Sequence, residues 1–198
     1  MSAMAVDVKI QIDQREINRI KERIAAVAPD KVERIFVGAV KRAGTAAKTM
    51  SAKAISGMYT LPSKKSKEDM RLIYQGMNAE FRITGYQRDV KEFKVRPAFR
   101  LHPKGAMVKA GTPKPPHVTL KKGEGGPISD AFWAQMSSGH QNLYRRQGDE
   151  PLPINDVPAL AVAQMGDQAI EREQVQARIM EVLNERVDHA LKRALEGK

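Results

Sequence analysis

The chain has 198 residues, 41% of them hydrophobic and 29% charged, which is typical of a globular protein and argues against wholesale disorder. It contains no Cys, which excludes a disulfide framework, a thiolate zinc site, an iron–sulfur centre and a Cys nucleophile. The formal net charge is +11, and no stretch approaches the ~18 apolar residues that span a bilayer, so we expect no membrane partner.

The first part of the chain predicts one strand and two helices. Apolar and polar side chains alternate from Val6 to Ile12, which indicates a strand with one buried face. Asp13 fits a helix N-cap, with Glu16 three residues later, and an apolar stripe then predicts a first helix. A second helix, rich in Ala, is predicted from Pro29 to about Gly57.

The middle of the chain shows turn signals and short periodic segments. We predict a loop over residues 59–67, a short helix over 68–76, and strands over 80–86 and 90–95. Residues 88–127, rich in Pro, Gly and basic side chains, are predicted to form an extended loop or arm. This arm is either flexible or a long hairpin with strands near Ala106–Ala110 and His117–Lys121.

The last part predicts strands followed by a long helix. Residues 128–136 indicate a short helix or turn, and residues 140–146 and 152–155 indicate strands. A short helix is predicted from Pro158 to about Gly166, and a long one from Asp167 to Leu195. We therefore expect a single α+β domain over residues 1–198: a small, mainly antiparallel sheet packed by N-terminal and long C-terminal helices, with a Pro/Gly-rich basic excursion.

A search for catalytic chemistry finds no convincing constellation. The four histidines show no metal-ligand spacing. Ser138 and His140 are nearly adjacent, whereas triad residues usually come from separate elements. The carboxylates Asp167, Glu171 and Glu173 are explained by the positive end of a helix dipole. We therefore expect that the protein is not an enzyme and that it has no catalytic residue, no cofactor and no metal site.

The positive charge is unevenly distributed. Residues 88–122 carry ten basic and two acidic side chains, whereas residues 149–198 carry six basic and ten acidic ones. Such segments can attract each other between neighbouring subunits, or the basic one can attract an external polyanion. Solvated surface charge explains the same pattern, so composition alone leaves all three interpretations open.

One segment of the chain resembles a known family. From Gly139 onwards an aromatic residue, two basic residues and a Gly precede a Leu-Pro-Ile strand, a Val-Pro pair and a terminal helix. Here these positions are Tyr144, Arg145, Arg146, Gly148, Leu152, Pro153, Ile154, Val157 and Pro158. Together with the early Ala-rich basic helix, they resemble the prophage minor tail protein Z family, the tail completion proteins of long-tailed bacteriophages.

The resemblance implies a structural virion protein that acts in tail completion and head–tail joining, near the head-proximal end of the tail. It implies a ring of copies following the six-fold symmetry of the tail, and contacts with other tail or neck proteins. Synthesis and assembly would then take place in the host cytoplasm.

The residues expected to serve this function fall into two groups. Candidates for contact with a neighbouring subunit or partner protein lie in the arm and in the motif after it, namely Arg96, Arg100, Lys104, Lys109, Lys114, Lys121, Lys122, Tyr144, Arg145 and Arg146. Candidates for non-specific contact with DNA passing through a channel lie on the early helix, namely Lys41, Arg42, Lys48 and Lys53.

The alternative hypothesis is a non-specific nucleic-acid-binding protein of a mobile element. Such a protein binds DNA as an isolated monomer or dimer, with strong salt dependence. A tail protein is expected to bind DNA weakly or not at all in isolation, and to assemble with tail partners. The sequence contains no zinc finger and no aromatic RNA-binding strand that would favour sequence-specific recognition.

Overall fold

The computed structural model describes residues 8–75, 78–98, 115–150 and 152–196. Within these residues the helices are α1 Gln14–Val27, α2 Val32–Met58, α3 Ser63–Glu68, α4 Val162–Ala169 and α5 Arg172–Leu195. The strands are β1 Val8–Gln11, β2 Met70–Gln75, β3 Asn78–Ile83, β4 Gln87–Asp89, β5 Lys94–Arg96, β6 His117–Lys121, β7 Glu124–Pro127, β8 Ala131–Gln135, β9 Gln141–Arg146, β10 Ile154–Asp156 and β11 Pro158–Ala161.

The first strand and helix form as the sequence predicts. In α1 the apolar stripe of Ile17, Ile20 and Ile24 is buried, and these residues lie three and four positions apart. The carboxylate of Asp13 accepts a hydrogen bond from the backbone N–H of Arg15 at 2.8 Å and so caps the helix. The predicted N-cap is confirmed.

Helix α2 runs through the centre of the molecule and packs most extensively against α5. At ~1.5 Å per residue its 27 residues span about 40 Å. The buried side of α2 is largely Ala and Gly, which lets neighbouring backbones approach closely, while Phe36 and Ile55 supply bulk near its two ends. On α5 the apolar residues Val175, Ile179 and Val187 face this core.

A three-stranded antiparallel sheet in the order β1-β3-β2 completes this core. Phe81 of β3 lies opposite Ile10 of β1 and Leu72 of β2, so apolar side chains of all three strands share one face. We call this sheet, together with α1, α2, α4 and α5, the helical body. It contains most of the buried apolar side chains of the described chain.

Two further sheets lie outside this core, and we call them the outer sheets. One has the order β5-β6-β7 and the other β10-β9-β8, and both are antiparallel. A short pairing of β11 with β4 joins the two halves of the chain, with Pro158 opposite Asp89. The α+β class with N-terminal and long C-terminal helices is confirmed, with several small antiparallel sheets present.

Two predictions in the segment 59–76 are wrong. Residues 63–68, predicted as loop, form α3, and residues 70–75, predicted as helix, form β2. The apolar side chains at Met70, Leu72 and Tyr74 alternate with a period of two, and β3 supplies the backbone partners that fix them as a strand.

Within the segment 128–136, predicted as a short helix or turn, residues 129–130 are a turn and Ala131–Gln135 form strand β8. It pairs with β9 through a tight turn in which Met136 donates to His140 O at 2.8 Å and Gly139 has φ +82°. The aromatic residues Phe132 and Trp133 favour the pleated conformation. A similar correction applies to residues 124–127, where a predicted loop pairs with β6 as β7.

The boundaries of the last helices also differ from the prediction. Residues 158–161 form β11, because they pair with β4, and α4 begins only at Val162. The predicted long helix is broken at Ile170, whose backbone is extended, so α5 starts at Arg172. The predicted strand over 90–95 is a 3-10 turn at Val90–Glu92 followed by β5. Residues 106–110 lie outside the described residues.

Candidate assembly surfaces

The resemblance motif folds as one continuous unit made of β9, a hairpin tip and β10. Tyr144 is buried at 4% exposure, whereas the next two residues, Arg145 and Arg146, are exposed. The guanidinium of Arg146 lies 5.2 Å from the centre of the Phe132 ring, a cation–π contact that holds it over β8. The three motif residues are therefore brought together, but only the two arginines can meet a partner.

Tyr144 anchors this sheet in the interior. Burial raises the pKa of its hydroxyl, and the nearby carboxylates of Asp156, its cross-strand neighbour, and Asp89 raise it further. The hydroxyl therefore stays neutral at physiological pH. We conclude that Tyr144 is a packing residue and not a contact residue.

The turn between β9 and β10 exposes charged and apolar side chains next to each other. Residues 147–150 form consecutive bends, closed by a hydrogen bond from Gln147 N to Pro153 O at 3.1 Å. Asp149 and Glu150 are exposed there, and Leu152 beside them is 70% exposed. A large apolar side chain next to charged ones at a projecting tip is the composition of a small protein contact.

The outer sheet β5-β6-β7 carries the described part of the predicted arm. Lys122 is exposed, while Lys121 forms an ion pair with Glu124 at 3.1 Å. The sheet is tied to the end of α2, because Thr60 N donates to Leu120 O at 2.8 Å and Lys122 N donates to Met58 O at 2.8 Å.

The remaining arm candidates are distributed as follows. Arg96 lies on β5 opposite His117. Arg100, Lys104, Lys109 and Lys114 lie outside the described residues. The described ends of the arm, residues 88–98 and 115–127, are therefore held by strand pairing to the outer sheet and to β11.

The four candidate DNA-contact residues of α2 do not share one face. Lys41 and Lys48 line a cavity of about 630 Å³ between α2 and β2, together with Arg71. Arg42 points into a different cleft, between α2 and α5. Lys53 is exposed and lines neither of these two.

That second cleft holds a cluster that the sequence analysis missed. It has a volume of about 590 Å³, and the basic side chains that line it are Lys31, Arg34, Arg42, Arg186, His189 and Arg193. The signal was present in the sequence, since positions 186, 189 and 193 are three and four residues apart and so share a helix face. The basic residues of α5 lie beside those of α2 because the two helices pack together, and the sequence of either helix alone does not predict this packing.

Arg88 belongs to the basic stretch of the sequence but lies in a partly buried ion-pair network. Its guanidinium lies 2.9 Å from Asp69 and 3.5 Å from both Glu68 and Glu92, and it donates to the backbone oxygen of Lys65 at 2.8 Å. Burial raises the pKa of Asp69, an effect that the charge of Arg88 opposes. Arg88 is thus a structural residue that joins β4 to α3.

No arrangement in the described residues suggests metal chemistry. Among residues 8–75, 78–98, 115–150 and 152–196, no group of three or more His, Asp or Glu side chains could hold a metal ion. His140 lies 3.7 Å from a carboxylate oxygen of Asp89, and His102 lies outside the described residues. In the same part of the chain, no helix has the length and apolar character needed to cross a bilayer.

Comparison with known proteins adds no relative to these observations. No family model matches the chain, and neither the curated proteins nor the solved structures give a significant match.

Proposed function

We propose that the chain is a structural virion protein of a bacteriophage tail, which acts in tail completion and head–tail joining near the head-proximal end. It works as one subunit of a ring with the six-fold symmetry of the tail, and it contacts other tail or neck proteins. The motif that resembles the minor tail protein Z family supplies the class of function.

The observation that carries the proposal is the arrangement of the outer sheets. Each is three-stranded, and within the described residues β5, β7, β8 and β10 are paired on one side only. Unpaired strand edges are templates for a strand from another chain, and stable monomers usually protect them. A protein whose outer strands end in open edges, beside exposed Arg145 and Arg146, is suited to packing against copies of itself.

The surface charge supports the same assignment. The hairpin tip carries the exposed carboxylates Asp149 and Glu150, whereas Arg145, Arg146 and Lys122 are exposed cations on the outer sheets. Opposite charges placed on separate parts of one surface set the register between identical subunits. The same subunit can then supply both halves of each contact in a ring.

The decisive experiment locates the protein in finished particles. Mass spectrometry of purified particles is expected to detect the chain at a copy number that is a multiple of six, and electron microscopy to place it as a ring where tail meets head. Disruption of its gene is expected to leave separate heads and tails. Absence of the chain from purified particles would overturn the proposal.

A paired variant tests the role of the β9–β10 hairpin. Arg145→Glu with Arg146→Glu is expected to lower the yield of joined particles at least tenfold, because it reverses the charge of an exposed contact surface. The matched control is Arg15→Glu with Lys64→Glu, two exposed cations of α1 and α3 with the same charge change. Equal yields from the two variants would show that the hairpin is not a contact.

A further inference from the structure

The cleft between the first half of α2 and the last half of α5 is a strongly charged surface that the proposed function does not use. Five of its lining side chains are Lys or Arg, namely Lys31, Arg34, Arg42, Arg186 and Arg193. All five are exposed at the cleft rim. Its floor is made of small residues, including Gly38, Ala190 and Ala194, which leave room between the two helices.

Among the described residues that line this cleft there is no carboxylate. Within the described residues the five cations make no ion pair and no side-chain hydrogen bond, and the nearby Asp188 is bound to Arg23 of α1. Elsewhere in the structure exposed basic residues do find carboxylates, as Arg178 does with Glu181. Five like charges around one opening repel each other, and the repulsion is relieved when an anion binds.

The dimensions of the cationic surface indicate a repeating anion. Arg34 and Arg42 are eight residues apart on α2, about 12 Å at ~1.5 Å per residue. Arg186 and Arg193 on α5 are about 10 Å apart by the same measure. Phosphates of a duplex advance ~3.4 Å per base pair along the helix axis and wind around it, so an array of this length spans more than one phosphate of a backbone. A single small anion could contact only part of the array.

We propose that this cleft binds the phosphate backbone of a nucleic-acid duplex, without preference for base sequence. Arginine, which supplies four of the five charges, binds phosphate oxygens through two parallel N–H groups. No Phe, Tyr or Trp lines the cleft, so it offers no platform for stacking unpaired bases, as single-strand sites do. Backbone contact fixes position without reading sequence.

The site does not depend on the proposed tail function, because it belongs to a single subunit. One cleft is expected to bind DNA with a Kd in the range of ~10⁻⁶ to 10⁻⁴ M at physiological salt, as non-specific sites do. In a ring several clefts would act on the same duplex, and their combined affinity would be far higher. Weak binding by the isolated chain is therefore compatible with the proposed ring.

Fluorescence anisotropy of the full chain with a labelled duplex of about 20 base pairs tests the proposal. Two unrelated sequences are expected to bind equally well. If all five cations contact phosphates, the plot of log K against log salt concentration has a slope of about −4.5, and replacement of one by Gln makes the slope shallower by about 0.9. Absence of binding at low salt would overturn the assignment.

The cleft variant is Arg34→Glu with Arg193→Glu, and its matched control is Arg15→Glu with Lys64→Glu. All four residues are exposed, so circular dichroism is expected to show folded protein in both cases. The cleft variant is expected to lose at least tenfold in affinity for the duplex, and the control less than threefold. Equal losses would mean that net charge alone drives binding, and would overturn the site.

Two competing anions test whether the cleft binds the phosphate backbone of a duplex in preference to other anions. Tripolyphosphate is expected to compete only at concentrations well above those of the duplex, and a polyglutamate peptide of equal charge is expected to compete more weakly still. Tripolyphosphate binding as tight as duplex binding would assign the cleft to a small phosphate ligand. Displacement by polyglutamate at equal charge would assign it to an acidic protein segment. Either result would overturn the proposal.

Discussion

The helical body and the outer sheets differ in how much of each element is buried. In the body α2 alone contributes nine buried residues, and the buried apolar side chains of β1 and β3 belong to the same core. Between residues 115 and 158, by contrast, the buried apolar side chains of the described chain are Pro116, Val118, Leu143 and Tyr144. The body carries the core of the molecule, and the outer sheets are held against it by few anchors.

This difference indicates a division of labour between stability and contact. A sheet of three short strands that buries little surface is only marginally stable by itself, so the outer sheets depend on the helical body to stay folded. Backbone hydrogen bonds from Thr60 and Lys122 and the buried Leu143 provide that support. Surface residues of the outer sheets can therefore change with little cost in folding free energy, which suits them to specify partners.

The largest effect is expected where the body is densest. Phe36 is fully buried, with its ring centre 5.1 Å from that of Tyr74, so Phe36→Ala removes a large side chain and leaves a cavity. The free energy of unfolding should fall by about 3–5 kcal/mol. In the outer region Leu152→Ala should change it by less than about 0.5 kcal/mol, since Leu152 is 70% exposed. Urea unfolding of both variants measures the contrast, and similar losses would contradict it.

The next effect is expected where β4 joins α3. Arg88 is 15% exposed and faces Asp69, Glu68 and Glu92, so Arg88→Met leaves three carboxylates around an apolar side chain. We expect a loss of about 2 kcal/mol in the free energy of unfolding, below the cost of breaking a fully buried pair because the carboxylates keep some water. The control is Arg145→Met, at an exposed position of β9, and a loss there as large as at Arg88 would refute the network's role.

A smaller effect concerns the close approach of α2 to β2. A Cβ added at Gly44 would lie 2.8 Å from Cβ of Leu72, so Gly44→Ala forces the helix and the strand apart. Overpacking costs about 1–3 kcal/mol, and the better helix propensity of Ala returns up to about 1 kcal/mol, so a net loss of about 1–2 kcal/mol is expected. Gly38→Ala on the same helix meets no atom within 4 Å and should be neutral or stabilising in the same thermal unfolding assay. Destabilisation by both would contradict the packing argument.

The sequence predicted the body better than the outer sheets, and the cause is the range of the interactions. The stripe of α1 and its N-cap are local, so Ile17 and Asp13 could be placed from spacing alone. Strands β7 and β8 exist because β6 and β9 lie beside them, and a Gly-rich or aromatic stretch shows no sign of such a partner. In β2 the spacing of Met70, Ile73 and Tyr74 fits a helical stripe as well as Met70, Leu72 and Tyr74 fit a strand, so the sequence alone does not separate the two.

The candidate surfaces show the same limit. On β9 the residues from Asn142 to Tyr144 are buried in a row and Arg145 and Arg146 are both exposed, a pattern that strict alternation along a strand does not predict. Arg88 lay in a basic stretch, yet its partners Asp69 and Glu68 come from a different element. Charge counts along the chain therefore identify where cations are abundant, but tertiary pairing decides which of them remain free to bind.

The smallest expected effect is a pair of opposite pH dependences at two carboxyl groups, Glu80 of the body and Asp69 of the Arg88 network. A hydrogen bond from Arg82 Nε to Glu80 at 2.7 Å lowers the pKa of Glu80 below its usual 4.5. Burial raises the pKa of Asp69 above its usual 3.8. Just below pH 4.5 the unfolded chain binds more protons at Glu80 than the folded chain does. Glu80 therefore stabilises the fold at higher pH, and this stabilisation is lost as the pH falls.

At Asp69 the sign is reversed, because above pH 3.8 the folded state holds the proton longer than the unfolded chain. Its contribution therefore becomes less favourable as pH rises through the raised pKa. Urea unfolding of the wild type, Glu80→Gln and Asp69→Asn between pH 3 and pH 7 isolates each group by difference. As the pH rises, the free energy of unfolding of the wild type should increase relative to that of Glu80→Gln and decrease relative to that of Asp69→Asn. Slopes of the same sign would show that burial does not outweigh the charge of Arg88 at Asp69.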